Sequence, residues 1–177
     1  MKKQSGLIHI YCGDGKGKTT CAMGLCARAS GYGYKVLIYQ FMKDNTTNER
    51  NTLMLSPNIA WIDGLSIEKF SFQMTSSEKE FRKTFYNQQF KNIVLMVKQE
   101  QFSVLLLDEI LYTIAAGLFD EDLLIEFLSK KPSDLEVILT GQSPSEKLIE
   151  IADYVSEIKK IKHPFERGII ARKGIEN

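Results

Sequence analysis

At 177 residues the chain is long enough for one domain with its own core. Hydrophobic residues make up 44% and charged residues 25%, and Lys plus Arg (23) exceed Asp plus Glu (22) by one. That balance is ordinary for a soluble globular protein and gives no whole-surface field for drawing in nucleic acid or a membrane.

The chain opens on MKKQSGLIHIYCGDG, with two lysines and a short apolar run before glycines intervene. This is too brief for a signal peptide or a membrane span, so a cytoplasmic protein is expected. Strands are predicted at 7–12 (LIHIYC), 35–41 (KVLIYQF), 59–62, 104–108 (VLLLD), 136–140 (EVILT) and 154–158. Most are unbroken apolar runs, as in strands covered on both faces. Between them, 19–30 is rich in Ala and Leu and stops at Gly31 and Gly33, a helix with a glycine exit. Thr75-Ser-Ser-Glu78 is a capping box that opens a helix to about Gln101, with Phe81, Phe85, Ile93 and Val97 expected on its buried face. Further helices are expected at 120–129 and 145–152, and loops at 44–48 and 63–71. Cys12, Cys21 and Cys26 include no CxxC pair, and their odd number argues for reduced thiols, mostly in the core.

Strand and helix alternate from end to end without a repeat or a linker. The expectation is one α/β domain over 1–177, with a mostly parallel sheet and helices on both faces. Ligands in such folds sit beyond the carboxyl ends of the strands, where Gly13, Lys43, Glu109 and Gly141 all follow strands.

Gly13-Asp14-Gly15-Lys16-Gly17-Lys18-Thr19-Thr20 joins the first strand to the first helix. Glycines there let backbone N–H groups turn toward phosphate oxygens, and the helix start adds its positive end. Lys18 supplies a cation to the phosphates, and the Thr19 hydroxyl suits Mg²⁺. This makes the fold a phosphate-loop, RecA-like one; the alternative is a lysine-rich surface turn. The usual GxxxxGK[ST] pattern needs a first glycine where Cys12 stands, so the turn here is one residue shorter.

Val104-Leu-Leu-Leu-Asp108-Glu109 is an apolar strand ending in two carboxylates, the usual source of an acid near Mg²⁺ in phosphate-loop proteins. Adjacent residues point apart, so one can face the ion while the other orients a neighbour or caps the next helix.

More specific features follow. Tyr39-Gln40-Phe41-Met42-Lys43 ends the second strand, and the tail reads Lys162-His163-Pro164-Phe165, Gly168, Ala171 and Gly174-Ile175-Glu176. With GDGKGKTT and LLLDE, the chain resembles the ATP:cob(I)alamin adenosyltransferases of the CobA/CobO/BtuR type from about Gly6 to Glu176. The resemblance implies transfer of the 5′-deoxyadenosyl group of ATP to a reduced corrinoid, with release of triphosphate. It also implies a Mg²⁺ site of Thr19, Asp108 and Glu109, with Thr19 and Glu109 holding the ion, and a triphosphate bound in the reverse of the usual sense. A flavin-dependent reductase as electron donor and a homodimer come from the same source. Phe70 and Phe72 would displace the lower axial ligand of cobalt, although relatives have tryptophan at the second place; the alternative is core packing on a short strand. Arg28, Gln40 and Lys43 would approach the nucleotide, and Gln142 stands where relatives often have arginine. An N-terminal helix folded over the nucleotide is expected to be missing or shortened. The competing readings are a phosphoryl-transferring kinase or NTPase, and a RecA-like nucleic-acid binder, against which the charge of +1 counts.

Overall fold

The structure, a computed structural model, describes residues 5–66 and 71–176. Its elements in chain order are β1 (Ile8–Cys12), α1 (Lys18–Tyr32), β2 (Val36–Gln40), α2 (Asn48–Leu53), β3 (Ile59–Ile62), α3 (Ser76–Glu100), β4 (Val104–Asp108), α4 (Ile110–Ala115), α5 (Glu121–Lys130), β5 (Glu136–Thr140), α6 (Glu146–Ile151) and β6 (Tyr154–Glu157). Two 3₁₀ turns lie at Ser71–Gln73 and Pro164–Arg167. All six strands join one sheet in the order β3-β2-β4-β5-β1-β6, every pair parallel.

Alternation along the strands builds two cores. Val36, Ile38, Val104, Leu106 and Ile138 pack with Ala22, Met23, Cys26 and Ala29 of α1. Their neighbours Leu37, Tyr39, Leu105, Leu107, Val137 and Leu139 face the other side, against Tyr86, Phe90, Ile93 and Val97 of α3 and Leu124 and Phe127 of α5. With both faces covered, β2 and β4 are buried at every residue, which is why their sequences are unbroken apolar runs. The edge strand β6 is exposed along its length.

Two expectations are corrected. The buried face of α3 is Arg82, Tyr86, Phe90, Ile93 and Val97, whereas Phe81 is 63% exposed. The face is set by Tyr86, whose hydroxyl accepts the Met42 N–H (3.2 Å), and Phe81 instead stacks along the shoulder on Phe85. Two short helices, α2 and α4, follow β2 and β4: α2 begins at Asn48, where the loop expected over 44–48 ends, and α4 is capped by Glu109. Ser71–Gln73 is a 3₁₀ turn tied by a Ser71–Tyr112 hydroxyl pair (2.8 Å), and Phe72 on it is 77% exposed, which removes core packing as its explanation. Lys69 and Phe70 lie outside the described residues.

Candidate active site

The site grows from parity. Gln40, Asp108 and Thr140 end the neighbouring strands β2, β4 and β5, and each follows the alternation of residues that face α1. Gln40 and Asp108 are register partners. Three polar groups are therefore carried to the carboxyl edge of the sheet on the side where α1 begins.

The phosphate loop arrives there from β1. Cys12 is still a strand residue, buried and paired with Glu157, so the turn starts at Gly13, one residue later than in the usual pattern. Gly13 has φ 106°, and a Cβ there would stand 2.4 Å from the Ile158 carbonyl oxygen; only glycine fits. The loop is clamped from outside: Gly13 N–H donates to the Gln142 carbonyl (3.0 Å), Gly15 N–H to that of Ile158 (2.8 Å), and Lys160 N–H to Asp14 Oδ1 (2.9 Å). Two loop amides are thus engaged by the chain itself, which leaves those around the start of α1 to meet an anion. That helix begins after Gly17 without a side-chain cap and without an acid in its first turn, as an anion-binding helix start requires. Lys18 Nζ donates to the Gly15 carbonyl (2.8 Å) and so lies over the loop.

Asp108, fully buried, is the hub. Its Oδ1 accepts from Thr140 Oγ1 (2.6 Å) and Thr19 Oγ1 (3.0 Å), and its Oδ2 from Lys43 Nζ (2.7 Å) and Gln40 Nε2 (2.8 Å). A carboxylate has about four lone-pair positions. All are taken. Lys43 also donates to Thr19 Oγ1 (3.3 Å), and Thr47 Oγ1 donates to Gln40 Oε1 (2.8 Å), so the outer shell is fixed as well.

Glu109 is the opposite case. It caps α4 with φ 61° and ψ 14°, a left-handed conformation that costs a non-glycine residue roughly 1–2 kcal/mol. Its peptide is held on both sides: the N–H donates to Thr140 Oγ1 (2.8 Å), and the carbonyl accepts from Thr113 Oγ1 (2.8 Å) and Thr113 N–H (3.0 Å). Its carboxylate makes no hydrogen bond among the described residues. Burial pushes that carboxyl above the usual carboxylate range and the Asp108 charge adds to this, while Lys43 and Lys18 pull it part of the way back. The Glu109 carboxylate, within reach of the Lys43 and Lys18 charges, and the Thr19 hydroxyl held on the adjacent Asp108 are hard oxygen donors, of the kind that Mg²⁺ takes. No group of three or more His, Cys, Asp or Glu side chains clusters as a metal cage among the described residues. A Mg²⁺ held by few protein ligands plus substrate phosphates needs none.

The family model of ATP:corrinoid adenosyltransferase BtuR/CobO/CobP matches residues 4–177. The chain belongs to that family. It is 31% identical over 176 residues to the corrinoid adenosyltransferase of Escherichia coli strain K12, covering 98% of this chain and 86% of the relative. It is 30% identical over 178 residues to corrinoid adenosyltransferase CobA of Salmonella typhimurium, covering 99% and 87%. Among solved structures, a KaiC-like protein from Pyrococcus horikoshii aligns with a TM-score of 0.55 at 21% identity, over 89% of this chain and 75% of that one. That likeness concerns the fold, and it agrees with the phosphate-loop α/β architecture.

The residues expected from the sequence fall into three groups in this family member. Lys18, Thr19, Gln40, Lys43, Asp108 and Glu109 converge at the strand ends, as described. Lys16 and Thr20 are exposed on the loop and first helical turn, and Lys16 Nζ lies 3.6 Å from Glu176 of the tail. Arg28 does not join them: it is exposed on α1, roughly 15 Å further along the helix than Lys18. Arg50 pairs with Asp63 beyond β3 and lies over Trp61. Much of the basic tail is matched locally, Lys159 by Glu157, Lys160 by Glu166 and Arg172 by Glu176. His163 Nδ1 accepts the Phe165 N–H (3.2 Å) and caps the tail's 3₁₀ turn.

A cleft of about 470 Å³ flanks the phosphate loop on the β6 side, lined by Gly13, Asp14, Gln142, Glu157, Lys159 and Lys160 among others. Thr113 and Thr140 were not singled out as site residues in the sequence. The available signal was a polar residue closing an apolar strand, as Asp108 closes β4, and the TGQ at the end of β5 carried it.

Proposed function

We propose that this chain transfers the 5′-deoxyadenosyl group of ATP to the cobalt of a reduced corrinoid, forming the cobalt–carbon bond of an adenosylcorrinoid and releasing triphosphate. Membership of the corrinoid adenosyltransferase family over 4–177 is the observation that carries this reading. The cobalt(I) electron pair attacks C5′, the C5′–O5′ bond breaks, and the electrons leave on the triphosphate. No side chain has to deprotonate a nucleophile, and the two histidines are engaged elsewhere, His9 with Glu136 and His163 as the cap of the tail's 3₁₀ turn. The protein's contribution is then to fix C5′ opposite cobalt and to receive charge on the leaving oxygen.

Lys18 and the free amides at the start of α1 are suited to the second task, since they are preorganised and need no movement of charge. Thr19 and Glu109 would hold Mg²⁺, which when bound neutralises part of the triphosphate charge. Asp108 would stand behind them, fixing the Thr19 hydroxyl and the Lys43 ammonium. Gly13–Thr20 would wrap a triphosphate lying in the reverse of the usual sense, in keeping with the late start of the turn. The reading includes a flavin-dependent reductase that supplies the electron, and a cytoplasmic homodimer. No helix among the described residues is long and apolar enough to cross a membrane.

The test is anaerobic. MgATP and chemically reduced cobalamin are mixed with the protein, the visible spectrum is followed and the phosphate product identified. Light-sensitive adenosylcobalamin with stoichiometric triphosphate is the expected result. ADP or inorganic phosphate without a cobalt–carbon product would return the chain to the phosphoryl-transfer enzymes.

Phe72 carries a separable prediction. An exposed aromatic on a turn tied to α4 by Ser71 and Tyr112 is suited to lie against a corrin face. Phe72→Ala should slow the reaction from cob(II)alamin on the order of tenfold, the worth of about 1.4 kcal/mol of aromatic contact. The reaction from prepared cob(I)alamin should change little. Equal losses in the two assays would remove Phe72 from ligand displacement.

A further inference from the structure

We propose that Thr140 is a positioning residue of the adenosyl transfer, acting through the Glu109 peptide to aim the Glu109 carboxylate at the metal–triphosphate site. The proposal rests on the reading of Glu109 as a metal-holding group. Its own ground is geometric. β5 lies between the loop strand β1 and the acidic strand β4, and Thr140, which ends it, is the register partner of Tyr11 while its side chain turns to the acidic strand. Thr140 is fully buried, and its hydroxyl is used twice: it donates to Asp108 Oδ1 (2.6 Å) and accepts the Glu109 N–H (2.8 Å).

What that hydroxyl holds is a backbone that would not hold itself. The chain must turn from β4 into α4 within one residue, and it does so with Glu109 at φ 61°. In that conformation the Cα–Cβ bond of Glu109 leaves the chain in a direction unlike that of a strand or helix residue, and the carboxylate follows it. Thr113 fixes the carbonyl of the same residue, through its hydroxyl and its N–H. The start of α4 is also braced against β5 at Gly141, where a Cβ would come within 2.6 Å of Leu111 Cβ and 2.7 Å of the Tyr112 nitrogen. Every backbone atom of Glu109 able to hydrogen-bond is thus committed, while its carboxylate is left uncommitted. That is how a side chain is kept ready for something that comes from outside the chain. Thr140 also ties Asp108 to Glu109, so the two acids are oriented by one oxygen atom.

Valine has the shape of threonine without the hydroxyl, and serine has the hydroxyl without the methyl. Thr140→Val should weaken Mn²⁺ binding to the enzyme–ATP complex roughly tenfold, read by electron paramagnetic resonance, and raise the Mg²⁺ concentration for half-maximal transfer by a similar factor. ATP affinity without a divalent ion should stay at the wild-type value. Thr140→Ser should restore both metal readouts. Should the valine variant fail to fold, Thr140→Ala against Thr140→Ser reads the same contrast. Wild-type metal dependence in the variants lacking the hydroxyl, or failure of a folded serine variant to restore it, would overturn the proposal. Glu109→Gln is measured in parallel. If it shifts metal binding while Thr140→Val does not, only the role of Thr140 falls. If Glu109→Gln leaves metal binding unchanged, the assignment of Glu109 fails and the proposal falls with it.

Discussion

Lys18→Ala is expected to lower kcat for adenosyl transfer by roughly 10²–10³-fold while the melting temperature stays close to wild type. The size follows from removing one preorganised donor at the place where charge develops on a leaving group. The near-unchanged stability follows from where Lys18 sits. Its ammonium donates to the carbonyl of Gly15, three residues before it on the same loop, and ties no distant elements together. Losing such a local, partly exposed contact costs little, because water takes its place. Lys18→Arg should not rescue: the planar guanidinium is broader than an ammonium, and the loop around it is clamped by Ile158 and Lys160. The measurement is the rate from prepared cob(I)alamin at saturating MgATP, with calorimetry beside it. Activity near the wild-type value would refute the loop assignment.

Much of this was readable in the sequence because the chemistry lies at strand ends, and the strands announce themselves. VLLLD could hardly be anything but a buried strand closing in an acid, and β4 occupies 104–108 as expected. The phosphate loop was legible because its glycines are demanded by backbone conformation, as at Gly13. The helix α3 was legible in extent from its capping box, which the structure contains in full, with Thr75 and Glu78 as its two halves. Its buried face was misjudged because Phe81 and Tyr86 are both aromatic, and composition does not say which one a neighbouring loop will engage. Met42 decides that, from β2's exit, and no local pattern encodes it.

The site divides in the same way. That Asp108 and Glu109 point apart followed from adjacency. Which one is saturated depended on Gln40, Lys43, Thr19 and Thr140 arriving from other parts of the chain. Those are contacts between residues 32 to 89 positions apart, set by strand order, and strand order was not deduced from the sequence. The left-handed turn at Glu109 was equally hidden, because glutamate carries no signal for positive φ.

Asp108 gives the second large effect, and comparing two substitutions tells what kind of residue it is. Asp108→Ala removes a fully buried carboxylate that four donors share, one of them the Lys43 ammonium. Breaking a buried charge pair costs about 3–5 kcal/mol, and the 23% exposure of the Lys43 side chain places this case near the lower end. Activity should fall by at least about a hundredfold, since Thr19, Lys43 and the Glu109 turn lose their common anchor. Asp108→Asn keeps the shape. Its amide oxygen can still accept from Lys43 and Gln40, and its NH₂ group turns toward the Thr19 and Thr140 hydroxyls, which rotate to accept. The stability cost should then drop to about 1–2 kcal/mol, and a larger share of activity should survive than in the alanine variant. That ordering is the consequence of a carboxylate that works by holding other groups. An asparagine variant as stable as wild type yet as inactive as the alanine variant would mean the opposite: the negative charge of Asp108 itself acts on the ion or the triphosphate, and its four protein donors give way when substrate binds.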